Sequence, residues 1–143
     1  TEDFKIINSI KQHDKWITDL RFSPNNKSLA ATSWDTFLDI FLITSWDSLT
    51  LSKSVEVPTF KKISSVDWSR DNKLIALSSF DSNIYLFDSR SLEFKFSLDN
   101  HEQEVTDAVF IKGSEKLASG SFDTKLNIWD LNKRELLKSF SGY

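Results

Sequence analysis

Two histidine–aspartate pairs are the residues best equipped for chemistry in this chain of 143 residues: His13 with Asp35, and His101 with Asp123, at the same sequence separation. An imidazole beside a carboxylate can serve as a general base or help to hold a metal ion. Their duplication argues against both uses. A catalyst needs one set of groups, whereas a repeated spacing points to repeated architecture. No other catalytic set accompanies them. The chain has no cysteine, which removes disulfides, thiolate nucleophiles and thiolate-ligated zinc together. With only Gly113, Gly120 and Gly142 it cannot build a glycine-rich phosphate loop, and no serine lies in a nucleophile elbow. The acidic stretches "TED" and "EQE" read as surface features. We read the chain as non-catalytic, without cofactor or metal, and the two pairs as structural.

The elements that would position these pairs recur as well. "SWDTFLDIF" from Ser33, "SFDSNIYLFD" from Ser79 and "SFDTKLNIWD" from Ser121 share one grammar. Aligned on Asp35, Asp81 and Asp123, they mark three units with a period of about 40–45 residues. Each unit opens with an apolar strand carrying an inner Asp: "WITDLRF" (16–22), "ISSVDWS" (63–69) and "VTDAVFI" (105–111). A polar turn follows, and a second strand rises to the repeated phrase. A third strand alternates apolar and polar residues ("FLDIFLI", "NIYLFD", "KLNIWD"), and a more polar fourth closes the unit ("LTLSKSVEV", "SLEFKFSL", "RELLKSF"). Dense Ile, Val, Phe, Tyr, Trp and Thr in short runs, broken by Asn, Asp and Ser, favour strands. No segment keeps apolar residues at helical spacing over the ten or so residues a helix needs. The prediction is all-β, four strands per unit.

Composition bounds the rest. At 39% hydrophobic and 13% aromatic the chain can bury a core, which argues against disorder. A net charge of -3 provides no basic field for phosphates, and Lys61-Lys62 and Lys133-Arg134 read as solvated pairs. Direct nucleic-acid binding is therefore not expected. No apolar run approaches the ~18 residues of a membrane span, and no signal-peptide pattern opens the chain. With no methionine, even at position 1, the sequence reads as a processed product or an excerpt of a longer chain.

Repeat period, four strands per unit and terminal Trp-Asp together make the chain resemble the WD-repeat β-propeller family along essentially its whole length. The third unit matches best: the resemblance implies that His101, Ser119, Asp123 and Trp129 form a buried hydrogen-bonded chain. Unit one keeps His13 and Asp35 but has Ala31 and Phe41 at the Ser and Trp positions. Unit two keeps Asp81, with Thr59, Leu77 and Phe87 at the other three. The Gly that precedes the family's His is absent from "KQH" and "DNH". A further "SWD" at Ser45–Asp47 is out of register and belongs to the loop between the third and fourth strands.

The expected organisation is one partial propeller over residues 1–143. Residues 3–10, "DFKIINSI", read as an outer strand that could latch a ring. Blades follow at 13–56, 57–98 and 101–141. Three blades make an open arc, so the expected partners include further blades, from a longer parent chain in preference to a second chain. Propellers mostly bind other proteins through loops on one face, and the resemblance implies an intracellular interaction scaffold. Its face would carry the aromatic residue before each turn Asp (Trp34, Phe80, Phe122) and the entrances to the first strands (Trp16 and Thr18, Lys62 and Ser64, Glu104 and Thr106). "TSWDTFL" is similar to phrases that place a partner-contacting Trp in heterotrimeric G-protein β subunits. Trp16 and Trp34 are read as exposed, Phe80 and Phe122 as packed between blades. The rival reading is a building block of a large assembly that works through its blade edges. Unit one also resembles the first blade of mitotic-checkpoint and messenger-RNA-export propellers.

Overall fold

The structure is a computed structural model describing residues 5–45 and 47–142. Twelve strands form three antiparallel sheets, each a meander in chain order. The first blade holds β1 (Ile17–Phe22), β2 (Ser28–Ser33), β3 (Phe37–Ser45) and β4 (Ser48–Glu56). The second holds β5 (Ile63–Trp68), β6 (Leu74–Ser79), β7 (Ile84–Asp88) and β8 (Phe94–Leu98). The third holds β9 (Val105–Phe110), β10 (Lys116–Ser121), β11 (Leu126–Asp130) and β12 (Glu135–Phe140). These are the blades of a partial propeller, and the arc they form is open.

Local chemistry explains why the repeated phrase recurs. In each blade the serine that ends the second strand accepts the amide of the turn aspartate: Asp35 N to Ser33 Oγ at 3.2 Å, Asp81 N to Ser79 Oγ at 3.2 Å and Asp123 N to Ser121 Oγ at 3.1 Å. The aspartate Oδ1 then accepts the amide two residues on, from Phe37, Asn83 and Lys125. Between them lies a residue with positive φ: Thr36 at 73°, Ser82 at 75° and Thr124 at 66°. Side chains other than glycine rarely adopt that conformation, so the Asp-centred turn has to hold it in place. The phrase Ser–aromatic–Asp–Thr/Ser is therefore a turn code for the hairpin between second and third strands.

Blade packing follows from strand alternation. One face of β2 and β3, with Ala30, Leu38 and Ile40, meets Ile75, Leu77 and Phe87 of the second blade. The next interface repeats the arrangement, with Ala76, Ile84 and Leu86 against Leu117 and Trp129. The inner strands β1, β5 and β9 are stitched together by side chains. Asp19 Oδ2 accepts the Val66 amide at 3.1 Å, Ser65 Oγ the Ala108 amide at 3.2 Å and Asp67 Oδ2 the Phe110 amide at 2.8 Å. The Trp68 indole donates to the Arg21 carbonyl at 3.1 Å. Burying apolar trios at about 25 cal/mol per Å² drives the stacking, and the amide acceptors fix its register.

The N-terminal segment lies apart from the three sheets. Residues 3 and 4 lie outside the described residues, and residues 5–10 form no strand. They pair with no strand of the three sheets, and the third strand of every blade already pairs with its own fourth. Residues 8–13 instead run over the open face of the first blade, lining a cavity with Leu20, Leu29, Ala31 and Phe41. Of the out-of-register "SWD", Trp46 lies outside the described residues, and Ser45 and Asp47 flank the junction of β3 and β4.

Candidate functional site

The His–Asp pairs are built into the blades. In the third blade the Trp129 indole donates to Ser119 Oγ at 2.8 Å, and Ser119 Oγ lies 2.8 Å from His101 Nε2. His101 Nδ1 lies 2.7 Å from Asp123 Oδ2, which also accepts the Glu102 amide at 3.0 Å. A neutral imidazole with its proton on Nδ1 satisfies every member: Trp129 donates to Ser119, Ser119 to His101, and His101 to Asp123. All four side chains are buried. Burial alone would raise the Asp123 carboxyl, but the His101 hydrogen bond and the Lys125 and Glu102 amides outweigh it and hold the carboxyl below the usual range. Such a closed chain leaves no group free for proton transfer with a substrate.

The other two blades solve the same problem with different residues. In the first, His13 Nδ1 sits 3.1 Å and 3.2 Å from the two Asp35 oxygens, and the Asp14 amide adds a bond at 3.1 Å. Burial pushes the Asp35 carboxyl up, but the Phe37 amide, His13 and the Asp14 amide together bring it below its ordinary value. With Ala31 and Phe41 in place of Ser and Trp, His13 Nε2 makes no hydrogen bond. It lies 3.5 Å from Asp39 Oδ2, a buried carboxylate that also takes the Ser54 hydroxyl. In the second blade Thr59 replaces the histidine, its hydroxyl 2.7 Å from both Asp81 Oδ2 and Ser79 Oγ. Tyr85 completes the set, donating to Asp81 Oδ2 at 2.5 Å. Burial, then the bond and charge of Asp81, push the Tyr85 phenol up to about 12. Sequence reading missed Asp39 and Tyr85. The signal available was their shared place four residues after the turn aspartate, where the third blade has Asn127.

The loop face carries the exposed aromatic residues. Here the residue before each turn aspartate is tied to the entrance of the first strand: Trp34 N bonds Trp16 O at 3.0 Å, Phe80 N bonds Lys62 O at 2.9 Å and Phe122 N bonds Glu104 O at 3.0 Å. These bonds set the side chains in a row across three blades. Trp16 and Trp34 lie with ring centroids 4.6 Å apart, the Lys62 ammonium sits 3.5 Å from the Trp34 ring centroid, and Phe80 meets Phe122 at 6.1 Å. Trp16 is 71% exposed. Trp34, expected to be exposed, is half-buried between Trp16 and Lys62. Phe122, expected to pack between blades, does meet Phe80 yet keeps 57% of its surface exposed. Phe60, fully exposed in the linker ahead of Lys62, was missed; a lone aromatic in the polar stretch "PTFKK" was the available sign.

The remaining residues of the predicted face are turned inward. Thr18 Oγ1 lies 3.2 Å from Thr32 Oγ1, Ser64 donates to the Val105 carbonyl at 2.6 Å, and Thr106 donates to the Gly120 carbonyl at 3.1 Å. These hydroxyls tie strands and blades together beneath the aromatic row. Glu104 is half-buried at its far end. Among the described residues no group of three His, Asp or Glu side chains could hold a metal ion, and no helix is long and apolar enough to cross a membrane.

Known proteins share this pattern. The chain is 31% identical over 123 residues to the Poly(A)+ RNA export protein of Schizosaccharomyces pombe, covering 82% of this chain and 33% of that one. It is 26% identical over 134 residues to the anaphase-promoting complex subunit cdc20 of Dictyostelium discoideum, covering 92% of this chain and 26% of the relative. It thus spans about a third or less of the length of these relatives. The solved structure of U3-55K superposes with a TM-score of 0.84 at 17% identity, over 93% of this chain and 41% of that one, a likeness of fold. A family model described as "WD domain, G-beta repeat" matches residues 4–47, 52–88 and 92–130, each match ending at or just past the third strand of one blade. With three such repeats folded as three propeller blades, the chain belongs to the WD40 family, whose members generally serve as protein-interaction scaffolds.

Proposed function

We propose that this chain is a non-catalytic scaffold that binds a partner protein on its loop face, inside the cell, with Trp16, Trp34, Lys62, Phe80 and Phe122 as the contact row and Glu104 at its end. Thr18, Ser64 and Thr106 belong to the same site as the residues that hold its floor rigid. The observation that carries the reading is the exposed Trp16 ring packed on half-buried Trp34, with Lys62 over the Trp34 ring. Rigid aromatic surface lends itself to binding because little side-chain entropy is lost on contact, and Trp is enriched among residues that dominate binding energy. Replacing Trp16 and Trp34 together by Ala should weaken partner binding by about 2 kcal/mol or more while moving the melting temperature little. A large fall in melting temperature, with binding retained by the folded fraction, would instead assign the two residues to the core.

A second reading is favoured by the arc's open ends. The trio that packs at both internal interfaces, Ala30–Leu38–Ile40 and Ala76–Ile84–Leu86, recurs in the third blade as Ala118, Leu126 and Ile128, with Leu126 43% exposed. Asp107 stands where Asp19 and Ser65 accept the next blade's amide. In this reading the end face docks further blades, supplied by a longer parent chain or by a second chain. Photo-crosslinkers placed at Trp16 and at Leu126 separate the readings by which one captures the partner protein.

A further inference from the structure

The turn face, opposite the aromatic row, carries a second surface built by the same repeat. The inner strands end at equivalent positions in Phe22, Trp68 and Phe110. Around these ends opens a cleft of about 1140 Å³ bounded by the turns of all three blades. Phe22, 62% exposed, lines it together with half-buried Phe110 and with Leu131. The Trp68 indole is held by the Arg21 carbonyl, so that wall is fixed.

The charges around the cleft divide unevenly between those used by the fold and those left over. Asp71 is paired with Lys73 at 3.3 Å and accepts the Ser69 hydroxyl at 2.7 Å. Asp88 Oδ1 accepts the amides of Arg90 and Ser91 and the Ser91 hydroxyl. Asp67 accepts the Phe110 amide across the blade interface, and burial pushes its carboxyl up. Of the acids, only Glu115 has a side chain without a partner among the described residues. Arg70, Arg90, Lys95 and Lys112 also line the cleft, and among the described residues none of them forms an ion pair. Hydrogen bonds within the fold hold Asp67, Asp71 and Asp88 in place, while Arg70, Arg90, Lys95 and Lys112 face solvent beside an apolar floor and leave the lining with a small excess of cations.

From this arrangement we infer that the turn-face cleft is a binding site for an acidic peptide segment of a partner protein, with a bulky apolar side chain seated on Phe22, Phe110 and Leu131 and flanking carboxylates on the Arg and Lys rim. Guanidinium groups engage carboxylates bidentately, and rim charges steer such a segment into the groove. The site is separate from the loop face, so one chain can hold two partners at once.

The test uses the 143-residue chain and a fluorescently labelled octapeptide in which Asp and Glu flank a central Phe-Leu pair. Anisotropy should report saturable binding that weakens as salt is raised. Arg90→Glu with Lys95→Glu should cost roughly tenfold or more in affinity, and Phe22→Ser should weaken binding independently. Trp16→Ala with Trp34→Ala should leave peptide binding unchanged, which keeps this result distinct from failure of the loop-face reading. Circular dichroism checks that each variant is folded. Equal binding by the charge-reversed variant overturns the inference, as does equal binding of a peptide with Ser-Ser in place of Phe-Leu. So does an oligothymidylate that competes for the cleft more tightly than the peptide, which would make it a phosphate site.

Discussion

Ser119→Ala removes one oxygen and disconnects the third blade's network. The hydroxyl accepts the Trp129 indole proton at 2.8 Å and lies 2.8 Å from His101 Nε2, and Ser119 is only 3% exposed. Alanine fits the space, so the cost comes from two polar groups left without partners in a dry interior. At about 1–3 kcal/mol for each orphaned group, and with some relaxation, the expected loss is about 2–4 kcal/mol. Urea denaturation measures it as a lower midpoint with an unchanged slope. The first blade supplies an internal comparison: with Ala31 and Phe41 at the two positions it has no indole to satisfy, though His13 Nε2 is left unbonded. Trp129→Phe on top of Ser119→Ala removes one of the orphans, so a double-mutant cycle should show a coupling of about 1–2 kcal/mol that offsets the separate losses. A Ser119→Ala loss under about 0.5 kcal/mol, or strictly additive variants, would refute the claim that this hydrogen-bonded chain stabilises the blade.

Two further outcomes test the electrostatics. Asp35 and Asp123 have folded values below their unfolded ones, so their stabilisation is complete above the unfolded value, near pH 4, and is lost as pH falls through the folded value. Acid titration of stability should therefore steepen below about pH 4, and Asp123→Asn should be less stable at neutral pH but show a shallower acid limb. Tyr85 runs the opposite way: its folded value is raised to about 12, so its contribution is present below the unfolded value and is lost as pH rises through the folded one. Ultraviolet titration of the folded protein should show one phenol ionising near there, and Tyr85→Phe should remove it at a cost of about 0.5–1.5 kcal/mol.

The sequence by itself determined the number of blades, the order of strands and the turn chemistry. Each is a short-range property: alternation along a strand, a Ser–aromatic–Asp phrase whose hydrogen bonds span two residues, and a period that returns three times. The His101–Asp123 and His13–Asp35 pairs were legible for the same reason, since their spacing is repeated. Tertiary structure decided what depends on neighbours. Residues 5–10 look like a strand, yet a strand exists only with a ladder partner, and they pair with none of the three sheets. Phe80 and Phe122 are the same residue type in the same phrase, but Phe80 is half-buried whereas Phe122 stays exposed, and that depends on what each packs against. The division of cations and carboxylates around the turn-face cleft was invisible in a chain of mixed charge. Asp71 and Asp88 are held by residues of their own turns, but Asp67 accepts the Phe110 amide only once the second and third blades stack in register.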